Sequence, residues 1–441
     1  MQLNRWKIAI FARKYIKTMK RIVIHNIGPV KHVELNMKRI NVIIGPQSAG
    51  KSCILKIACF CAWLEKQIEL LQGPSITDED DFWEDNLIGF HKLEGYMKED
   101  SYFSYSTSTM TFTYHHNGQK FDFEWKSTGR WKYMRSRVSY IPAERNIVSV
   151  VPNWLDVTLH NDNIRNFISD WYMARQLHGS KDSLSLLDLG VQYYYDGNKQ
   201  ADMIRNSDGS PLGFSEASSG LHSLIPMQIY LDYLFDGQYT GKNPSKLNVE
   251  SENGFVLQSI YITKFKKGLG EKIKTGEAVY YKIGGINLAF VSMEKAKECQ
   301  TLFEAFTKTS SSDIYLEEPE QNLFPQTQVE FVYDLIRRSA KHNDSIFVAT
   351  HSPYILYALN NCMQGYLVKK NLPQNMMGKS ASWLNPKEVG VWELRDGVLS
   401  SEIDEKNKTL QDEDGLIRGN YFDRIMHNIM ADFTNYAAYY D

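Results

Sequence analysis

Cysteine is scarce in this 441-residue chain: only Cys53, Cys59, Cys61, Cys299 and Cys362 occur. An odd number without framework spacing excludes a disulfide scaffold and points to reduced thiols in a cytoplasmic protein. Cys59-x-Cys61 is too tight for the usual zinc pairing, so both read as small buried residues of a helix. Long apolar runs are also missing. The basic N-terminal stretch holds only "IAIF" and no small-residue cleavage site, so it reads poorly as a signal peptide, and no stretch reaches membrane length. Formal net charge is -2, so no global field draws the chain to nucleic acid, and any such contact must come from local patches. No internal repeat, low-complexity tract or sustained heptad series appears.

What is present is an alternation of strand and helix signals. The composition is ordinary for a globular protein, 43% hydrophobic and 23% charged, and the length allows two or three domains or one core with insertions. "RIVIHNIGPVKHVELNMKRINVIIG" predicts two or three strands, and "KSCILKIACFCAWLEKQIELL" a helix. Residues 72–100 read as an acidic surface loop or small helical insertion. Asn117-Gly118 between two alternating runs predicts a hairpin. Residues 154–190 read as helical, 191–214 as a hairpin around Asp208-Gly209, and 236–305 as a mixed segment with a strand-like "YYKIGGINLAFV". After that, "DIYLEEPE", "QTQVEFVYDLIRRSAKH", "SIFVATHSP" and "YILYALNN" alternate strand with helix, which argues for a parallel sheet covered by helices. "GVWELRDGVLSSEI" is a closing hairpin.

Four motifs carry chemistry. Gly45, Pro46, Gln47, Ser48, Ala49, Gly50, Lys51 and Ser52 fit G-x-x-x-x-G-K-S between a strand and a helix. In that setting successive backbone N–H groups and the helix dipole cradle phosphate, Lys51 reaches the β- and γ-phosphates, and the Ser52 hydroxyl ligates Mg²⁺. Cys53, the next residue, is included in the nucleotide-binding set. Glu317 and Glu318 end an apolar strand, where one carboxylate can hold Mg²⁺ and the next can orient the attacking water. His351 ends another strand, on the sheet edge where ligands bind, and can hydrogen-bond a γ-phosphate. Ser218, Ser219 and Gly220 open a helix and form a second phosphate-type helix terminus without a lysine.

In this order the four pieces resemble the ATP-binding cassette class of ATPases. The match is to the soluble branch with Rad50 and structural-maintenance-of-chromosomes proteins, nearest the overcoming-lysogenisation-defect-like ATPases of anti-phage defence systems. "ASSG" stands at the signature motif, "YLEEPEQNLFP" at Walker B and the D-loop, "ATHSP" at the H-loop, and "YIPAERN" at a strand-end segment common in these ATPases. The resemblance implies an α/β fold: an ATPase core with a mostly parallel sheet and helices, an antiparallel β lobe and helical insertions. Its expected divisions are a basic extension (1–19), an ATPase lobe with Walker A and inserted hairpins (20–155), a helical insertion (156–205), the signature-like segment (206–235), a second insertion (236–305), a lobe with Walker B, D-loop and H-loop (306–400) and a C-terminal tail (401–441).

The resemblance also implies ATP and Mg²⁺ as cofactors. Two protomers would sandwich two ATP molecules, with Ser218 and Gly220 of one capping the γ-phosphate held by the other. Glu318 would be the catalytic base and Glu317 would stand on the magnesium side, where the family usually has Asp. No Q-loop glutamine is evident, His222 sits where glutamine is common, and Glu144 and Arg145 have no assigned role. The implied activity is that of an ATPase acting as sensor or scaffold in anti-phage defence, as a homodimer or higher oligomer with a separately encoded effector such as a nuclease. The alternatives are a DNA repair or chromosome-maintenance ATPase and, less favoured, a transporter subunit. Only ninety residues follow His351, with no acidic constellation for two metals; Asp404, Asp412 and Asp414 read as loop. DNA contact has two candidate patches: Lys126, Arg130, Lys132, Arg135 and Arg137, and Lys264, Lys266, Lys267, Lys272 and Lys274. No membrane contact is expected.

Overall fold

A computed structural model describes residues 20–439 except 128, 152–157, 241–246, 402 and 438. The basic extension 1–19 lies outside the described residues. Three strands open the fold: β1 (Lys20–Ile27), β2 (Val30–Met37) and β3 (Ile40–Ile44). Helix α1 (Lys51–Leu71) follows, then β4 (Met97–Ser106), β5 (Met110–His115), β6 (Lys120–Trp125) and β7 (Ser136–Ile141). Helix α2 (Asn163–Arg175) precedes β8 (Leu184–Ser185), β9 (Gln192–Asp196), β10 (Ala201–Arg205) and β11 (Pro211–Gly213). Next come α3 (Ser219–Phe235), α4 (Leu247–Ile260), β12 (Val279–Ile283), β13 (Ile286–Phe290) and α5 (Met293–Thr307). The chain closes with β14 (Ser311–Glu317), α6 (Pro325–Ser339), β15 (Ser345–Ala349), α7 (Pro353–Val368), β16 (Val389–Arg395), β17 (Val398–Ser400) and α8 (Tyr421–Ala437).

Among the described residues one sheet has eleven strands in the order β6-β5-β4-β1-β2-β17-β16-β3-β15-β14-β7. The run β16-β3-β15-β14-β7 is parallel throughout, and β6-β5-β4-β1-β2 is antiparallel throughout. The protein is therefore α/β, with a parallel half and an antiparallel lobe fused edge to edge. The parallel strands bury both faces, as parallel strands do. Val42 and Ile44 of β3, Ile314 and Leu316 of β14 and Ile346 and Val348 of β15 point to one core, where α2, α3, α6 and α7 pack. The alternate residues Ile43, Tyr315 and Phe347 point to the other, built on α1 and the antiparallel lobe. That period of two is strand geometry.

Several expected boundaries shift. Of the two readings of residues 72–100, the small helical insertion fits, with short helices at Ser75–Asp78 and Glu84–Gly89, and the surface loop does not: Phe82, Trp83, Leu87, Ile88 and Leu93 are buried, with Trp83 stacked on Tyr114 at 4.0 Å between centroids. The acidic run hid these apolar anchors, and β4 escaped notice because its first half is polar. The segment read as helical over 154–190 contains α2, then turns into a small sheet ordered β11-β10-β9-β8. The expected helical insertion 156–205 is thus part strand. The hairpins at Asn117-Gly118 and Asp208-Gly209 are present.

The second insertion has its own core. Val256, Leu257, Ile260, Phe265, Ile283, Phe290, Cys299, Leu302 and Phe306 cluster with Leu70 of α1. Phe306 is fully buried and meets the Tyr133 ring edge-on at 5.3 Å. Phe306→Ala is expected to cost about 3–5 kcal/mol. Hydrogen exchange should show protection lost first across α4–α5 while β3 and β15 keep theirs; equal loss in both regions would show that this core is not separate.

Candidate functional site

β3, β15 and β14 lie side by side in parallel, with Ile43 opposite Ala349 and Ala349 opposite Glu317. Their carboxyl ends therefore open on one edge, the usual ligand edge of a parallel sheet. The residues just past those ends are Gly45, Glu318 and His351.

The Gly45–Ser52 loop turns tightly. Gly45 (φ +155°) lies so close to β16 that an added Cβ would sit 2.2 Å from the Leu394 carbonyl oxygen. Gly50 (φ +107°) is pressed against Pro29 and Val30. No other residue type fits these two positions without moving the backbone. Ala49 N–H donates to Pro46 O at 3.4 Å, but the N–H groups of Gln47, Ser48, Gly50, Lys51, Ser52 and Cys53 find no backbone acceptor among the described residues. Such a row of unpaired N–H groups at a helix start is an anion cradle. Lys51 is buried, and its Nζ donates to Gly45 O at 2.9 Å and Pro46 O at 2.7 Å. Burial lowers its pKa to about 8, opposed by the charges of Glu318 and Glu320. Ser52 is exposed. Cys53 is buried, and its Sγ lies 3.6 Å from Ile27 O.

Glu318 N–H donates to Ala349 O at 2.8 Å, which extends the β14–β15 ladder by one bond. Glu318 itself has a left-handed backbone, φ +40°, an uncommon conformation for this residue type. Its Oε1 is 3.1 Å from His351 Nε2. That hydrogen bond holds the Glu318 carboxyl below its ordinary pKa, against the opposing effect of partial burial, and the charges of His351, Lys51 and Arg145 help. Glu317 is buried, with Oε2 accepting from Ala143 N–H at 3.2 Å and Oε1 without a partner among the described residues. Glu320 accepts the His351 N–H, and its burial raises its pKa.

Arg145, which carried no assigned role in the sequence, organises this edge. Fully buried, its guanidinium donates to Glu317 O at 2.8 Å, Glu318 O at 2.7 Å, Pro142 O at 3.2 Å and Ser223 O at 3.2 Å. Burial brings its pKa down to about 10. The signal that could have found it is a lone arginine directly after a buried strand, next to a carboxylate-ended strand in the sheet.

The structure thus brings Gly45–Cys53, Glu317, Glu318 and His351 together. Among the described residues no hydrogen bond or ion pair joins the Ser218–Gly220 turn to the Gly45–Ser52 loop, while Arg145 and Asn322 tie the start of α3 to the end of β14. Ser218 instead caps α3, its hydroxyl accepting from Leu221 N–H at 3.5 Å. Gly220 lies against Asn322, whose carbonyl oxygen would be 3.1 Å from an added Cβ, and Asn322 Nδ2 donates to Ser223 Oγ at 2.9 Å. His222 Nε2 pairs with Phe214 O at 3.0 Å.

Four of the five cations of the first basic patch are engaged within the fold: Lys126 donates to Ser106 and Thr107, Arg135 pairs with Glu252, Arg137 with Asp170, and Arg130 stacks on Trp125 and Trp131, while Lys132 is exposed. Of the second patch, Lys264 pairs with Glu298 and Lys272 with Glu277, while Lys266, Lys267 and Lys274 are exposed. No described helix is long and apolar enough to cross a membrane. No group of three or more His, Cys, Asp and Glu able to hold a metal occurs among the described residues.

No family model matches the sequence, and no curated protein matches it. Among solved structures the chain is similar to the SMC head domain from Thermotoga maritima (11% identity, TM-score 0.33, covering 78% of this chain and 92% of that one). It is also similar to an Smc head bound to the C-winged helix domain of ScpA (11%, 0.35, 87% and 96%) and to the recombination mediator protein RecF–ATPrS (12%, 0.29, 87% and 97%). Likenesses of this size assign no function to this chain.

Replacing Arg145 with Met removes a charged donor from four carbonyls, of which Glu318 O keeps the Gln321 N–H. At least ~3 kcal/mol of stability should be lost, since each hydrogen bond to a charged group contributes about 1.5–3 kcal/mol. Denaturant unfolding of Arg145→Met checks this, and an unchanged midpoint would show that the guanidinium does not organise the strand ends.

Proposed function

We propose that the protein binds Mg²⁺–ATP at this sheet edge and hydrolyses it. The observation that carries the reading is the convergence, at three adjacent strand ends, of an N–H cradle with a buried lysine and a carboxylate–imidazole pair. The unpaired N–H groups and Lys51 would receive the phosphates. Glu318, kept ionised by its partners, would accept the proton of the attacking water. His351 would hold Glu318 in place and reach the γ-phosphate. The residues present fit a magnesium ion: Ser52 is exposed at the helix start and Glu317 Oε1 is buried without a partner, a serine-and-carboxylate set completed by phosphate and water. Bound there, the ion would neutralise phosphate charge.

Because the Ser218–Gly220 turn makes no hydrogen bond to its own chain's phosphate loop among the described residues, the reading assigns it to the site of a second copy, two chains closing head to tail around two ATP. The output is conformational. The resemblance supports a sensor or scaffold role in anti-phage defence with a separately encoded effector, and a DNA-maintenance ATPase would use the same cycle.

Glu318→Gln should bind ATP and hydrolyse it about 10²–10⁴-fold more slowly; near-normal phosphate release would move the base elsewhere. For the shared site, Ser218→Arg and Lys51→Ala should each be inactive alone. Mixed, they should regain turnover in one of the two composite sites, and a dead mixture with hetero-dimers shown to form would refute sharing.

The pH dependence follows from Lys51. In the free protein it loses its proton above about pH 8, and bound phosphate raises its pKa again. ATP affinity should be flat below pH 8 and fall above it, with a proton taken up on binding. Calorimetry at pH 9 in two buffers of different ionisation enthalpy measures the uptake, and Lys51→Ala should abolish it.

A further inference from the structure

The tail expected over 401–441 contains α8, and α8 is unlike every other long helix here. Its first turn is anchored: Tyr421 and Phe422 pack on the core, Asp423 accepts from Tyr357 Oη at 2.7 Å, and Arg424 pairs with the buried Glu393. Beyond that turn none of its residues is buried. Yet Ile425, Met426, Ile429, Met430, Phe433 and Tyr436 form an apolar stripe, exposed from 41% at Ile425 to 75% at Tyr436. Phe422, Met426, Ile429, Phe433 and Tyr436 are spaced four, three, four and three residues apart, the a/d seam of a coiled coil.

A helix of this kind gains its stability from burying such a face. Its other sides do not suit an anionic membrane surface, which selects Lys and Arg: His427, Asn428, Thr434 and Asn435 lie opposite the stripe, Asp423 and Asp432 flank it, and its one arginine, Arg424, is already paired. The six exposed side chains present on the order of 700 Å², counting up to about 250 Å² for each ring, close to the ~800 Å² that one partner gives to a standard interface. The seam is self-complementary, so one kind of chain supplies both halves. Phe422, Ile429 and Tyr436 take one of the seam's two core positions and Met426 and Phe433 the other, so a second α8 presents the same apolar row to pack against it.

We infer that α8 is a homodimerisation helix that pairs with α8 of a second copy and tethers two chains with no nucleotide bound. This interface is distinct from the proposed ATP sandwich and does not depend on it. Its consequence is kinetic: tethered chains meet at high effective concentration, so ATP closes a pre-assembled pair.

The test is sedimentation velocity and light scattering on the full chain without nucleotide. Wild type and Lys51→Ala should both be dimers at micromolar concentration. Met426→Asp with Phe433→Asp should weaken the dimer by roughly 100-fold or more, as loss of two central apolar anchors does, with an unchanged melting profile because neither side chain touches the core. Ile429→Cys, on the seam, should cross-link two copies, and Asn428→Cys, on the opposite side, should not. A monomeric wild type, or a dimer that survives the double substitution, would overturn the inference, as would protection of the stripe in a monomer.

Discussion

At the end of β14 the carbonyls of Glu317 and Glu318 both accept from one guanidinium, and Glu318 O also accepts from Gln321 N–H at 3.1 Å. Arg145 takes the carbonyls of Glu317 and Glu318 and also that of Ser223 on α3. Unpaired buried carbonyls would cost on the order of 1–3 kcal/mol each. The arginine thus lets the chain turn sharply at Glu318 with a left-handed backbone, and that turn aims the carboxylate at His351 and toward Lys51. The same guanidinium ties this strand end to the helix that begins at Ser219. In the head-to-tail reading, that helix serves the other chain's nucleotide, so one buried cation stands between the two half-sites.

Much of this edge was legible in the sequence because its requirements are local. A phosphate loop needs glycine at Gly45 and Gly50, where any Cβ would strike Leu394 or Val30, and that need appears as a fixed spacing. Glu317, Glu318 and His351 were readable because each follows a run of alternately buried β-branched and apolar residues. Arg145 was not, because three of its four partners lie 78 to 173 positions away and backbone carbonyls leave no mark on composition. The 72–100 segment misled for a related reason. Its acidic residues dominate the string, while the burial of Phe82 and Trp83 depends on β5, which supplies Tyr114, and on α1. The basic stretch at 125–137 read as a surface, yet its three arginines are spent on Glu252, Asp170 and two indole rings, and Lys132 is exposed.

The insertions divide the labour of the fold. The segment α4–α5 carries a core of its own and leans on α1 through Leu70. The sheet β8–β11 joins the main core beside α2 and α3 through Tyr193 and Ile204. Helix α8 alone leaves an apolar face uncovered. Tyr357, on the helix that follows His351, holds the first turn of α8 through Asp423. The uncovered face is therefore linked to the candidate site by one short helix.

The central claim is that the N–H groups of 47–53 are a phosphate cradle. Amide hydrogen exchange of the wild-type protein with and without Mg²⁺–ATP tests it most directly. Slowed exchange at 47–53, accompanied by slowed exchange at 219–222 once two chains close, is the expected result. Unchanged exchange at 47–53 under saturating nucleotide would contradict it.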